Sequence, residues 1–155
     1  MQKRPKREYS EVYNVLLVDD ERIIREGLAT KVPWSRYDMK LSGQAADGED
    51  GMGKILEEDI HVVITDIKMP GIDGLELIRR IRQIKPEVRF VVLSGYDEFE
   101  FAQTAMQYGV RHYLLKPTKM QEIDRILEEL RADLARQEEE RGFIEKIKEN
   151  MARNL

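Results

Sequence analysis

Asp19 and Asp20 follow the apolar run Val15 to Val18, Asp66 follows Val62 to Thr65, Ser94 follows Phe90 to Leu93, and Lys116 follows His112 to Leu115. Carboxylates, a hydroxyl and an amine are the groups that phosphoryl chemistry uses. If the runs are strands of one parallel sheet, these side chains meet at its carboxyl edge, where such sheets bind ligands. Acids brought that close repel one another unless a cation lies among them, and hard oxygen donors with room left for water suit Mg²⁺. The Lys116 amine and the Ser94 hydroxyl then suit a phosphoryl group. Each residue alone has a plainer role, since an Asp after a strand commonly caps a helix and a Ser there commonly opens a turn. Their coincidence at successive strand ends points to chemistry.

The elements that must carry these residues alternate along the chain. The apolar runs are short, leucine-rich and β-branched and lie a helix length apart, the pattern of strands buried on both faces of a parallel sheet. Glu21 to Thr30 has Ile23, Ile24, Gly27 and Leu28 at helical spacing and stops before Pro33 and Trp34, with Trp34 expected to cap the core below this helix. Leu41 to Ala46 reads as a further strand, turned by Asp47 and Gly48 into a helix from Glu49 to Glu57. Met69 to Gly74 is a loop whose Pro70, Gly71 and Gly74 allow a tight, φ-positive path beside the acids. A helix from Leu75 to Ile84 places Leu75, Ile78 and Ile81 on one face. Another, from Glu98 to Tyr108, ends at Gly109 in a left-handed cap, and Arg111 to Leu115 is the last strand. The final helix begins near Thr118, where Thr118 and Gln121 form a capping box, and carries Ile123, Ile126, Leu127, Leu130 and Leu134 as its apolar stripe. The expected fold is therefore α/β, a doubly wound five-stranded parallel sheet with a C-terminal helical extension.

Composition narrows the setting. The 155 residues, 41% hydrophobic and 36% charged, suit one sheet domain with a soluble surface. Without cysteine there are no disulfides or thiolate metal sites, which agrees with a reducing compartment. No apolar stretch approaches the roughly 20 residues that span a bilayer, and Met1 to Ser10 lacks a secretory core, so the cytoplasm is expected. A net charge of −4 carries no nucleic-acid footprint. Lys3, Arg4, Lys6 and Arg7 mark residues 1–12 as a flexible basic tail, followed by the domain at 13–135. Residues 136–155 are a linker or an extended helix. Ile123, Leu130, Gln137, Ile144 and Met151 keep a seven-residue period, with Ile126 and Ile147 at companion positions, but Asp133, Glu140 and Gly142 interrupt the seam and favour a solvated linker. The stretch after Gly142 is too short for an output domain, so the chain is either a fragment or a stand-alone module.

The segment Val15 to Glu21, the segment Thr65, Asp66, Ile67, Lys68, Met69, Pro70, Gly71, Ile72, Asp73, Gly74, and the pair Lys116, Pro117 resemble the receiver domain of bacterial two-component response regulators. More loosely, Leu93 to Ala102 and the pair Pro33, Trp34 resemble receivers that precede an AraC-type helix-turn-helix output domain. The resemblance implies a flavodoxin-like receiver fold with Asp66 as phosphoacceptor, and Asp19, Asp20, Asp66 and the backbone carbonyl of Lys68 as the protein's ligands to Mg²⁺. It implies further that Lys116 and Ser94 hold the phosphoryl oxygens, and that Ser94 and Tyr113 form a switch whose movement rearranges the surface of helix four, strand five and helix five. Pro117 permits a cis peptide after Lys116. A sensor histidine kinase is the implied donor. A homodimer through the helix four, strand five and helix five surface, or through the C-terminal helix by its seven-residue period, is one assembly open to such a chain, with DNA reached only through an output domain absent from it. Such a domain catalyses only its own phosphorylation and dephosphorylation, so an enzyme acting on other substrates is not expected. His61 and His112, at strand starts, are expected to be neither phosphoacceptors nor metal ligands.

Other possibilities are a stand-alone phosphorelay carrier, a Mg²⁺ phosphohydrolase of the haloacid dehalogenase kind, and a receiver-like fold that never takes phosphate. The second resembles a pattern with acids two residues apart, whereas Asp19 and Asp20 are adjacent.

Overall fold

The computed structural model describes residues 12–154. Apart from Val12, the basic segment expected as a tail lies outside the described residues. The strands β1 (Tyr13–Val18), β2 (Met39–Ala45), β3 (Val62–Asp66), β4 (Arg89–Ser94) and β5 (His112–Leu115) form one sheet of order β2-β1-β3-β4-β5, in which every pairing is parallel. Helices α1 (Arg22–Lys31), α2 (Gly48–Glu57), α3 (Gly74–Ile84) and α4 (Phe99–Gln107) make the crossovers, and α5 (Met120–Arg153) follows β5. After β2 the chain returns to the other side of β1, so the strand order reverses between β1 and β3 and opens a crevice at their carboxyl ends.

Strand alternation divides the core. Val15, Leu17, Ile64, Val91 and Leu114 face Leu28 of α1 and the stripe Ile123, Ile126, Leu127, Leu130 and Leu134 of α5. Leu16, Val18, Val63, Phe90 and Val92 face Ile55 of α2, Ile78 and Ile81 of α3 and Ala105 of α4. Burial on both faces explains why the strands read as unbroken apolar runs. Trp34, in a 3₁₀ turn after α1, is buried and donates its indole N–H to the Ala29 carbonyl at 3.3 Å. Among the described residues, no helix is long and apolar enough to cross a membrane.

Three local expectations are corrected. Ile23 is 86% exposed, because on a helix its neighbour Ile24 takes the inward position together with Leu28. The Thr118–Gln121 capping box is not formed: α5 starts at Met120, with the N–H groups of Glu122 and Ile123 both bonded to the Lys119 carbonyl. The favoured solvated linker after 135 is instead a continuation of α5, unbroken through Gly142 to Arg153. A glycine there costs about 1 kcal/mol relative to alanine, and helix-spaced pairs such as Arg131 with Glu128 and Arg153 with Glu149 oppose that loss.

Candidate functional site

The sheet register brings the acids together. Val18 pairs with Thr65, so the residues that follow, Asp19 after β1 and Asp66 at the end of β3, stand side by side. Both are buried, at 1% and 4% exposure, whereas Asp20 and Glu21 are exposed. One carboxylate oxygen from each of Asp19, Asp20, Glu21 and Asp66 lies within 4.8 Å of the others. On the far side, the Lys116 N–H donates to the Ser94 carbonyl at 2.8 Å, extending the β4–β5 pairing by one residue. This roots the lysine so that Nζ reaches Asp19 Oδ2 at 3.2 Å, Asp66 Oδ2 at 3.3 Å and Glu21 Oε1 at 3.5 Å. The Lys116–Pro117 peptide is cis.

Electrostatics leave the cluster short of positive charge. Burial, with the neighbouring Asp19 charge, pushes the Asp66 carboxyl up to about 6 against the pull of Lys116 and the Ile67 N–H. Burial also raises Asp19, opposed by the Glu21 N–H and by Lys116. For Lys116, burial acts downward, but Asp19 and Asp66 outweigh it and hold the amine above its ordinary value. Lys116 Nζ lies 3.2 Å from Asp19 Oδ2, and this buried oxygen meets no aligned hydrogen-bond donor among the described residues. A buried carboxylate oxygen without a donor, among further hard oxygens and beside open solvent at Asp20, fits a small divalent cation. On that basis Mg²⁺ should raise the melting temperature in a saturable way, and Asp20→Ala should weaken that response, as followed by thermal unfolding against Mg²⁺ concentration. An unchanged wild-type melting temperature in millimolar Mg²⁺ would count against the cation site.

The loop after β3 is held by close backbone contact. The Gly74 N–H donates to the Ile67 carbonyl at 2.7 Å, and a Cβ on Gly74 would lie 2.1 Å from the Asp66 carbonyl oxygen. Gly71 supplies the φ-positive step, at 75°. Asp73 then caps α3 by accepting from the Glu76 N–H at 2.8 Å. Gly74→Ala is therefore expected to destabilise the domain by about 3 kcal/mol, at the upper end for overpacking, because backbone has to move. Urea unfolding would measure this, and a change below about 0.5 kcal/mol, the range of an ordinary surface substitution, would show that the close approach is not required.

The other candidate residues are placed as follows. Ser94, buried, ends β4 one residue beyond Leu93, which pairs with Asp66. Lys68 follows Asp66 by two residues, and its ammonium lies over the Phe101 ring of α4 at 5.2 Å, so this amine is not the cation of the acid cluster. Tyr113 is 42% exposed beside buried Leu114, so its ring faces outward on β5. His61 and His112 lie at the opposite edge of the sheet. The Asn14 N–H donates to His61 Nδ1 at 2.9 Å, and His112 Nδ1 sits 3.5 Å from Glu129.

Two residues were not singled out by sequence. Glu21 joins the acid cluster because its N–H bonds Asp19 Oδ1 at 2.8 Å, a turn that folds its side chain back. Arg25 reaches back along α1 and donates to the Asp19 carbonyl at 2.7 Å, steadying the turn that presents the acids. The only sequence signal for Arg25 is a charge next to the inward Ile24 of a helix that starts at the acid cluster.

A parallel sheet thus gathers four carboxylates and an amine at its switch point, groups that phosphoryl chemistry uses. The family model for the response regulator receiver domain matches residues 15–128, and the chain belongs to that family. It is 50% identical over 127 residues to the uncharacterised transcriptional regulatory protein YesN of Bacillus subtilis (strain 168), covering 82% of this chain and 34% of YesN. It is 37% identical over 131 residues to the transcriptional regulatory protein HptR of Staphylococcus aureus (strain NCTC 8325 / PS 47), covering 84% of this chain and 51% of HptR. The chain thus spans about a third to half the length of these relatives. Among solved structures, the receiver domain of AraT, a response regulator from Geobacillus stearothermophilus, superposes with a TM-score of 0.80 at 36% identity, covering 83% of this chain and 99% of that one. A two-component transcriptional regulator AraC from Clostridium phytofermentans ISDg gives 0.73 at 27% identity, covering 83% and 98%. The expected receiver fold holds, and the family is a signalling one, not a catalytic one.

Proposed function

We propose that this receiver domain accepts a phosphoryl group on Asp66 from a sensor histidine kinase in the cytoplasm, and that the phosphorylated form controls transcription through an output domain outside this chain. What supports a phosphoacceptor is the convergence of Asp19, Asp20, Asp66 and Lys116 at one sheet edge, with the Lys116 amine 3.3 Å from Asp66. A carboxylate oxygen of Asp66 attacks phosphorus, the bond from phosphorus to the donor nitrogen breaks, and an acyl phosphate remains. Lys116 and Ser94 hold phosphoryl oxygens, so the loose transition state is stabilised by position and charge with no general base. Asp19, Asp20, Asp66 and the Lys68 carbonyl would hold Mg²⁺, which neutralises phosphoryl charge when bound. The direct test is the mass of the intact chain after exposure to an acyl phosphate, wild type against Asp66→Asn.

Transcription control is supported by the names of YesN, HptR and the AraC-type regulator, each a transcriptional or two-component regulator. Output would follow from a change at Ser94 and Tyr113, whose outward ring has room to move when the phosphoryl group draws Ser94. The surface of α4, β5 and α5 carries exposed Phe99, Met106, Leu115 and Met120, and the free end of α5 carries exposed Phe143, Ile144, Ile147 and Met151. Either surface could pair two copies.

A further inference from the structure

At the sheet edge opposite the acids, α3 ends, β4 and β5 begin, and α5 passes over them. Arg82, Arg89 and Arg111 line a cavity of about 130 Å³ there, together with Gly109, His112 and Asp133. Arg82 clamps two turns, donating through Nη1 to the Pro86 carbonyl at 2.9 Å and through Nη2 to the Gly109 carbonyl at 3.3 Å, with its guanidinium over the Phe90 ring. Its Nε is buried with no acceptor among the described residues. Arg89 is held loosely: Nη2 is 3.4 Å from Gln137 Oε1, Nη1 is 4.0 Å from Asp133 Oδ2, and its Nε is likewise buried with no acceptor. Asp133 is shared with Arg136. Burial, and then the neighbouring Arg89 and Arg111, push the Arg82 guanidinium below its ordinary value. Burial also holds His112 below its ordinary value, against the pull of Glu129 and Asp133.

Three guanidinium groups thus line a polar hollow in which, among the described residues, Asp133 is the lining carboxylate, with Glu129 beside His112. Partly buried guanidinium groups set this close repel one another, and a counter-charge between them relieves that repulsion. At about 30 Å³ per water, the hollow holds about four waters, enough for one compact oxyanion, and guanidinium forks match such oxygens better than any other side chain.

We propose that this cavity binds a small tetrahedral oxyanion of the phosphate class, held by the guanidinium groups of Arg82, Arg89 and Arg111 that line it. Because Arg89 also contacts Gln137, occupancy is felt by α5, the helix that leaves the domain. The site is independent of Asp66 and lies at the other end of the sheet.

The test uses inorganic phosphate as the probe, with a chelator present so that the acid cluster holds no metal, and chloride at matched ionic strength as the control. Phosphate stabilises folded surfaces in general, so the discriminating result is a saturable rise in melting temperature. Amide shifts at Gly109, Arg111 and His112, and Nε–H shifts of Arg82 and Arg89, should follow the same isotherm. Arg89→Gln should weaken binding at least tenfold. Arg111→Gln, at an exposed position that does not hold the fold together, should weaken it severalfold. A rise that never saturates and is equal in wild type and Arg111→Gln, or shifts confined to residues around Asp66, would overturn the proposal.

Discussion

Incubated with Mg²⁺ and a small acyl phosphate, the wild-type chain is expected to gain one phosphoryl group and Asp66→Asn none. Asparagine keeps the shape of the side chain and can still accept from the Ile67 N–H, which bonds Asp66 Oδ1 at 2.9 Å. It lacks the carboxylate oxygen that forms the new bond. Intact mass measures the gain, and hydroxylamine should remove it, since an acyl phosphate is open to attack at its carbonyl. Lys116→Ala should still fold and slow the reaction about 10²-fold, the usual loss for one oriented donor to developing charge. Equal mass gain by wild type and Asp66→Asn would place the phosphoacceptor elsewhere. If neither chain gains mass from the acyl phosphate or from a cognate kinase, the domain is a phosphate-independent interaction module.

With a chelator present, the same Asp66→Asn chain should be more stable than wild type at pH 7.5 and nearly equal to it at pH 4. The folded-state value for Asp66 is about 6, above its ordinary 3.8. Between these values the folded state binds more protons than the unfolded state, so stability falls as pH rises through the interval and the loss is complete above about pH 6. A separation of that size corresponds to at most about 3 kcal/mol, and about 2 kcal/mol is expected. For a domain of this size that is a rise of about 4–8 °C. Saturating Mg²⁺ should narrow the gap, since the cation binds the intact carboxylate cluster better. Thermal unfolding of both chains at the two pH values checks this. An Asp66→Asn chain that is less stable at pH 7.5, or a difference that ignores pH, would mean that burial does not strain this carboxylate.

Much of the site was legible before folding because it is written at strand ends. A parallel strand buried on both faces must be apolar until it emerges, so Asp19, Asp66 and Ser94 are marked by the break in their own runs. Once those runs are recognised as strands of one sheet, their carboxyl ends lie together, and the acids and the amine follow. Short-range pattern alone was less reliable. Ile23 and Ile24 are equally apolar in sequence, and only packing of α1 on the sheet chose Ile24. Thr118 offered a cap that α5 passes over, because the backbone after Lys116 carries the chain on to Met120 before helix begins.

The sequence by itself therefore determined the alternation of elements, the polar groups at their ends and the family, since each is carried by residues close together in the chain. Tertiary structure alone decided which side chains meet across elements. It brought Glu21 into the acid cluster and set Arg25 on the Asp19 carbonyl. It turned Tyr113 outward and gathered Arg82, Arg89 and Arg111, from three different elements and turns, around one cavity. Charge and burial at such points depend on neighbours distant in the chain, and those neighbours are set by strand register and helix packing, which local periodicity does not encode.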